Sequence, residues 1–206
     1  MAVDLNDDNS LNEKAVNFWE KNKKNIAYVF IIFIAVYLSS NFYFSNQNKS
    51  LFLASEIYQK IQVDFQNKDI KIYVTELKNK YPSSPYAGRS SLILAQSFYN
   101  NNIDAALDEY DWAIINSKEK SIQSLALYSK ARLYLLKNEL DLAEITVNDI
   151  NSKGFDGLKN YLLGDIYSLK KDNLKAKGFY DLALNFYSNK NDLSKVIKTK
   201  IDAIGN

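Results

Sequence analysis

From Ile26 to Phe44 the chain reads IAYVFIIFIAVYLSSNFYF, and no charged residue falls between Lys24 and Lys49. A bilayer core is about 30 Å thick and takes roughly 20 mostly apolar residues in helical form. The stretch therefore predicts a membrane-spanning helix over about 25–45, with Ser39, Ser40 and Asn41 as a polar break near its far end. Tyr28, Tyr37, Phe42 and Tyr43 stand where interface aromatics are common. Beyond it the hydrophobic pattern changes character. Leu51, Ala54, Ile57, Ile61 and Phe65 recur at spacings of three and four, the period of an amphipathic helix. Ile70, Val74, Leu77 and Tyr81 repeat that period after a polar break at Gln66, Asn67, Lys68 and Asp69.

A sharper boundary follows at Tyr81-Pro82-Ser83-Ser84-Pro85, where Ser84 is placed to cap a helix with Pro85 at its first position. From Pro85 onward three segments resemble one another: Leu94 to Ile114, Lys130 to Ile150 and Leu163 to Leu184. In each, a small residue (Ala95, Ala131, Gly164) precedes an aromatic three positions on (Phe98, Tyr134, Tyr167). After a polar turn come another small residue (Ala106, Ala143, Ala176), a larger one (Tyr110, Val147, Tyr180) and a last apolar one (Ala113, Ile150, Ala183). Small residues belong where two antiparallel helices approach closely, and the larger ones fill the space between successive helix pairs. One such hairpin cannot bury its own apolar face, so several must stack. The pattern predicts hairpins at about 49–81, 85–117, 121–151 and 155–187. Leu193, Val196, Ile197 and Ile201 predict a capping helix over about 192–204. The fold class is all-α: one spanning helix, then a solenoid of helical hairpins.

Two readings compete with an uncleaved anchor for the apolar stretch. A buried core helix needs neighbours, and here apolar side chains surround the helix on all sides with nothing before it to pack against. A cleaved signal peptide needs a short basic n-region and a small-residue cleavage site, and neither is evident. Lys21, Lys23 and Lys24 crowd the N-terminal border, whereas Lys49 is the only base close to the other. Basic flanks stay cytoplasmic. Residues 1–24 are thus expected to be a cytoplasmic tail, and residues 46–206 to lie across the membrane, in the periplasm of a bacterium. Within the tail, Ala15, Val16, Phe18 and Trp19 suit either a short surface helix or a mobile segment, with Asp4, Asp7, Asp8 and Glu13 before or beside them.

Composition mainly excludes. The net charge is +2 and the basic residues are scattered, so no nucleic-acid partner is expected. Cysteine and histidine are both absent, which removes disulfides, thiolate chemistry and the commonest general base and metal ligand. No phosphate-binding, dinucleotide or nucleophile-elbow motif occurs. Acidic pairs such as Asp108-Glu109 and Asp141 with Glu144 are expected on solvated helix faces. Tyr110, Tyr134, Tyr167 and Tyr180 hold repeat positions and are expected to pack. No catalytic residue, cofactor or metal is expected, and an enzyme using carboxylates alone is the least favoured class.

The repeat residues resemble the tetratricopeptide repeat, closest in the third segment through Leu163, Gly164, Tyr167, Ala176, Tyr180 and Ala183. Ala106, Ala143 and Ala176 recur near that family's period of roughly 34 residues. The first segment is one residue short between Ala95 and Ala106, and Leu51 to Tyr81 is a degenerate repeat ending at Pro82. The whole organisation resembles the YfgM family of ancillary SecYEG translocon subunits, including Leu94-Ala95-Gln96, Leu133 to Leu140 and Lys200-Ile201-Asp202. That resemblance implies an inner-membrane protein whose periplasmic repeats work beside SecYEG. Its implied partners are a membrane-anchored chaperone of the PpiD type, unfolded polypeptide clients and membrane lipid. An anchored scaffold for another envelope assembly, cell-wall or outer-membrane, fits the same residues. In tetratricopeptide repeats the first helix of each hairpin lines the concave side. The resemblance therefore implies a partner-binding groove at Gln96, Tyr99, Tyr128, Arg132, Leu135, Tyr161, Asp165 and Ser168. Arg132 and Asp165 are also candidates to pair with each other across repeats.

Overall fold

The computed structural model describes residues 6–63, 70–187 and 192–205, with the side chains of 6–11 outside the description. Phe65 and the polar break at Gln66 to Asp69 lie outside the described residues, as does Asp4. The chain divides into two compact units, Met1–Ser50 and Leu51–Asn206.

The first unit is helical. Helix α1 (Asn6–Val63) begins well before the apolar stretch and continues through Ser39, Ser40 and Asn41. The tail expected over 1–24 is thus helical from Asn6, and the polar trio does not interrupt the helix. The reason is local. No glycine or proline occurs before Pro82, and a polar side chain on a helix leaves the backbone hydrogen bonds in place. From Ile26 to Phe44 the side chains face outward, as Phe33 and Phe42 do. α1 contains the one stretch among the described residues long and apolar enough to cross a membrane.

The second unit begins with the end of α1, where Ala54, Ile57 and Ile61 are buried. They pack with α2 (Ile70–Lys80) through Ile70, Val74 and Leu77, and with Ala87 and Leu94 of α3 (Pro85–Phe98). Helix α3 starts as its residues dictate: Ser84 caps it, its side chain accepting from the Ala87 N–H at 3.2 Å, and Pro85 opens it. The hairpins continue with α4 (Ile103–Asn116), α5 (Lys120–Leu136), α6 (Leu140–Asn148), α7 (Asp156–Leu169) and α8 (Asn173–Leu184), and α9 (Asp192–Ile204) packs on α8. A single 3-10 turn, Lys153–Phe155, leads into α7.

Packing follows the small residues. Ala95, Ala106, Ala131, Ala143 and Ala176 are fully buried, each where one helix crosses another. Tyr110, Val147 and Tyr180 fill the volume beside them. Each buried Leu, Ile or Val contributes about 1.5–3 kcal/mol, and these side chains form four successive clusters between neighbouring hairpins. The turns repeat as well. α5 and α7 both end in a lysine, Lys137 or Lys170, followed by a residue in the left-handed region, Asn138 at φ 59° or Lys171 at φ 62°. The next N–H then closes back on the helix, Glu139 on the Tyr134 carbonyl at 2.8 Å and Asp172 on Tyr167 at 3.0 Å. The first full hairpin has no such left-handed residue, and its turn closes instead through the Asn102 N–H on the Phe98 carbonyl. That difference accounts for the missing residue between Ala95 and Ala106.

Ion pairs tie one hairpin to the next in a repeating way. Asp104 of α4 meets Lys137, and Asp141 of α6 meets Lys170 at 2.6 Å. Glu109 and Glu144 depart from the solvated faces expected of them. Glu109 accepts from Lys78 and from Ser91 Oγ, and Lys78 also lies over the Trp112 ring at 4.7 Å. Glu144 accepts from Tyr167 OH and Lys170 Nζ, both at 2.6 Å. The cause is helix crossing: a neighbouring helix supplies a lysine and a hydroxyl that a helical wheel does not show. Asp108 and Asp141 remain exposed, as expected.

Candidate functional site

Successive first helices touch one another, α3 with α5 and α5 with α7. Their outward faces therefore form one continuous side of the repeat unit. The residues on that side stand three before, one after or four after the buried Ala95, Ala131 and Gly164, on the flank of each helix next to those small residues.

Gln96 and Tyr99 stand at its α3 end, Gln96 exposed and Tyr99 half-buried. In the middle, Tyr128 is half-buried and the exposed Arg132 places its guanidinium 5.8 Å from the Tyr128 ring centre. Burial pushes the Tyr128 phenol up from its ordinary value, and the Arg132 charge opposes that shift. Tyr161, Asp165 and Tyr187 lie near enough to add to it. Burial raises Tyr110 in the same way, against a hydrogen bond to Ser129 and the charge of Arg132. Tyr99, Tyr110, Tyr128 and Tyr161 thus form a run of aromatic groups with Arg132 among them.

At the α9 end the chemistry is ionic. Asp165 Oδ1 accepts from Tyr180 OH at 2.6 Å and from Lys200 Nζ at 2.5 Å. Lys200 Nζ also lies 4.8 Å from the centre of the Tyr161 ring, and the Tyr161 and Tyr180 rings are 6.3 Å apart. Burial pushes the Lys200 ammonium down, but its bonds to Asp165 and Tyr161 more than offset this, and its pKa stands above the usual lysine value. Burial first, and then the hydrogen bond to Asp165, carry the Tyr180 phenol far above its ordinary range. Leu135, Asp165 and Ser168 border an open concavity of about 300 Å³, which Tyr180, Lys200 and Ile204 also line.

Of the expected groove residues, Tyr128 stands with Arg132, and Tyr161 with Asp165, Leu135 and Ser168, while Gln96 and Tyr99 lie at the α3 end. Asp165 is held by Lys200 and Tyr180, and no ion pair joins it to Arg132. Lys200 and Tyr187 belong to this side and were not among the expected positions. For Lys200 the signal is its place three residues after Ile197, which α9 buries. Among the described residues no group of three or more acidic, histidine or cysteine side chains is arranged to hold a metal ion.

Comparison with known proteins agrees with this architecture. A family model for the tetratricopeptide repeat-like domain matches residues 16–206. A protein of Buchnera aphidicola named an ancillary SecYEG translocon subunit is 28% identical over 162 residues, covering 75% of this chain and 83% of that protein. Proteins of the same name from Neisseria gonorrhoeae and Haemophilus influenzae are each 23% identical. They cover 91% and 89% of this chain, and 92% and 91% of their own lengths. No solved structure gives a significant match.

Proposed function

The chain belongs to the tetratricopeptide repeat-like family, and from that membership we propose that it is a non-enzymatic, membrane-anchored ancillary subunit of a bacterial SecYEG translocon. One observation carries the reading. The likeness to proteins of that name runs along most of the chain and most of their own length, and the family match takes in the apolar helix together with every hairpin.

In this reading Lys21, Lys23 and Lys24 hold the N-terminus in the cytoplasm, and the helix anchors the protein in the inner membrane. The repeat unit works in the periplasm as an adaptor, passing translocated polypeptides to periplasmic chaperones, among them a membrane-anchored partner of the PpiD type. Its contact side is the run of first helices. Aromatic rings with polar edges offer apolar contact and stay hydrated when empty. Adaptable surfaces of this sort suit a protein that must release what it holds.

The test is recovery of the tagged full-length protein from membranes in mild detergent. SecY and a membrane-anchored periplasmic isomerase should co-purify. Cell-wall or outer-membrane assembly proteins in their place would overturn the translocon assignment in favour of an anchored envelope scaffold. The groove is tested separately by changing Tyr128, Arg132 and Tyr161 together to Ala. Cross-linking to translocating chains should fall at matched helicity, and undiminished cross-linking would move the contact to another face.

A further inference from the structure

Two ionic side chains of the first helices, Arg132 and Asp165, lie on the groove side, and the fold treats them oppositely. Asp165 is 19% exposed in its side chain and carries two bonds on one carboxylate oxygen, from Lys200 and Tyr180. Lys200 is in turn neutralised by Asp165. Arg132 is exposed, and among the described residues no carboxylate pairs with it. Its neighbours are aromatic: the Tyr128 ring at 5.8 Å, with Tyr110 and its neighbour Tyr99 beyond. Several other cations of the unit are committed. Arg89, the chain's other arginine, bonds Glu119 at 3.0 Å, and Lys78, Lys130, Lys137 and Lys170 each hold an acid of a neighbouring helix. Among the described residues Arg132 is thus a positive charge of the groove side with no carboxylate partner, set beside tyrosines.

A guanidinium offers a planar fork of donors that matches a carboxylate. Tyrosine rings stand beside it, Tyr128 the nearest. They offer stacking area to an apolar side chain beside the acid. A lysine or arginine brought to the same place meets repulsion. We propose that Arg132 selects the polypeptide segments held in this groove by an aspartate or glutamate side chain standing next to an aromatic or large apolar residue. This rests on the groove reading above and adds to it the chemistry of the partner.

The test uses full-length protein in non-ionic detergent and three extended synthetic peptides, acetylated and amidated at their ends. They differ only in the residue after a central Phe: Asp, Asn or Lys. Affinity is read by fluorescence anisotropy, and location by a photo-reactive amino acid in place of Ser168. The Asp peptide should bind about three- to tenfold more tightly than the Asn peptide, with the Lys peptide weakest and the preference shrinking in salt. Arg132→Gln should abolish the preference, Arg132→Lys should keep part of it, and Arg132→Glu should favour the Lys peptide. Equal binding of Asp and Asn peptides to the wild type, still cross-linked at 168, would overturn the selection and leave the groove standing. A preference unchanged in Arg132→Gln would equally overturn the role of Arg132. Failure of every peptide to cross-link at 168 would remove the groove and the selection together.

Discussion

Gly164→Ala tests the close packing on which the last hairpin depends. Gly164 is buried in the middle of α7. A Cβ added there would lie 2.9 Å from Tyr180 Cγ and closer still to Cδ1 and Cε1 of the same ring. The ring has little room to yield: Tyr180 is 2% exposed and its hydroxyl is tied to Asp165 at 2.6 Å. Contacts this close to a ring that cannot move put the overpacking cost in the upper part of its usual range, about 2–3 kcal/mol. Replacing glycine by alanine inside a helix returns about 1 kcal/mol, so the net loss is about 1–2 kcal/mol. In a unit of this size that lowers Tm by about 2–8 °C, and Gly164→Leu should cost more. The assay is thermal unfolding of Leu51–Asn206 followed by far-ultraviolet circular dichroism. A second background sharpens it. Tyr180→Ala removes the ring, and Gly164→Ala placed on it should then be neutral or stabilising by up to about 1 kcal/mol. An unchanged Tm in the wild-type background, or an equal loss in both, would refute a contact between residue 164 and the Tyr180 ring.

Lys171 holds a left-handed conformation at φ 62°, which costs a non-glycine residue about 1–2 kcal/mol. Lys171→Gly should therefore raise stability by up to about 1 kcal/mol in urea unfolding, and a loss would mean that the side chain has a packing role. At alkaline pH the unit should weaken. Tyr110, Tyr128, Tyr180 and Tyr187 are all raised above 10.0 by burial, so the unfolded chain gives up these protons first. Stability present below pH 10 is lost as pH rises past it. Tyr180→Phe should flatten that decline, and an alkaline limb as steep as the wild type's would argue against the phenol's role. For topology, a reporter active only in the periplasm and fused after Asn206 is expected to be active. A signal from a cytoplasmic reporter at the same position would reverse the orientation drawn from Lys21, Lys23 and Lys24.

Much of the fold was legible because its determinants are local. A period of three to four residues states which face of a helix is apolar, and Ala54, Ile57 and Ile61 are buried on that ground alone. Ser84 with Pro85 announces a helix start that the backbone realises. The recurrence of Ala106, Ala143 and Ala176 states that helices cross at those points, since only small side chains permit the approach. The candidate groove was legible only as a set of positions. Helical phase puts Tyr128, Arg132, Tyr161 and Asp165 on one flank of their helices, beside Ala131 and Gly164, but phase carries no information on what crosses above them.

Charge is where chain and space part company. On the sequence, Arg132 and Asp165 are a base and an acid on neighbouring repeats, able to cancel. In the structure α9 brings Lys200, 35 residues beyond Asp165, onto that carboxylate, and Tyr180 takes a second bond to it. Likewise Glu109 meets Lys78, 31 residues before it. Coulombic and hydrogen-bonding partners are set by distance in space, at a few ångströms, and helix crossing angles decide those distances. The sequence by itself determined the helices, their apolar faces and their points of close approach, because these depend on spacings of three and four along one element. Which charges are cancelled, and that Arg132 is left uncancelled beside tyrosines, only the tertiary packing decided, α9 on α8 carrying Lys200 to Asp165.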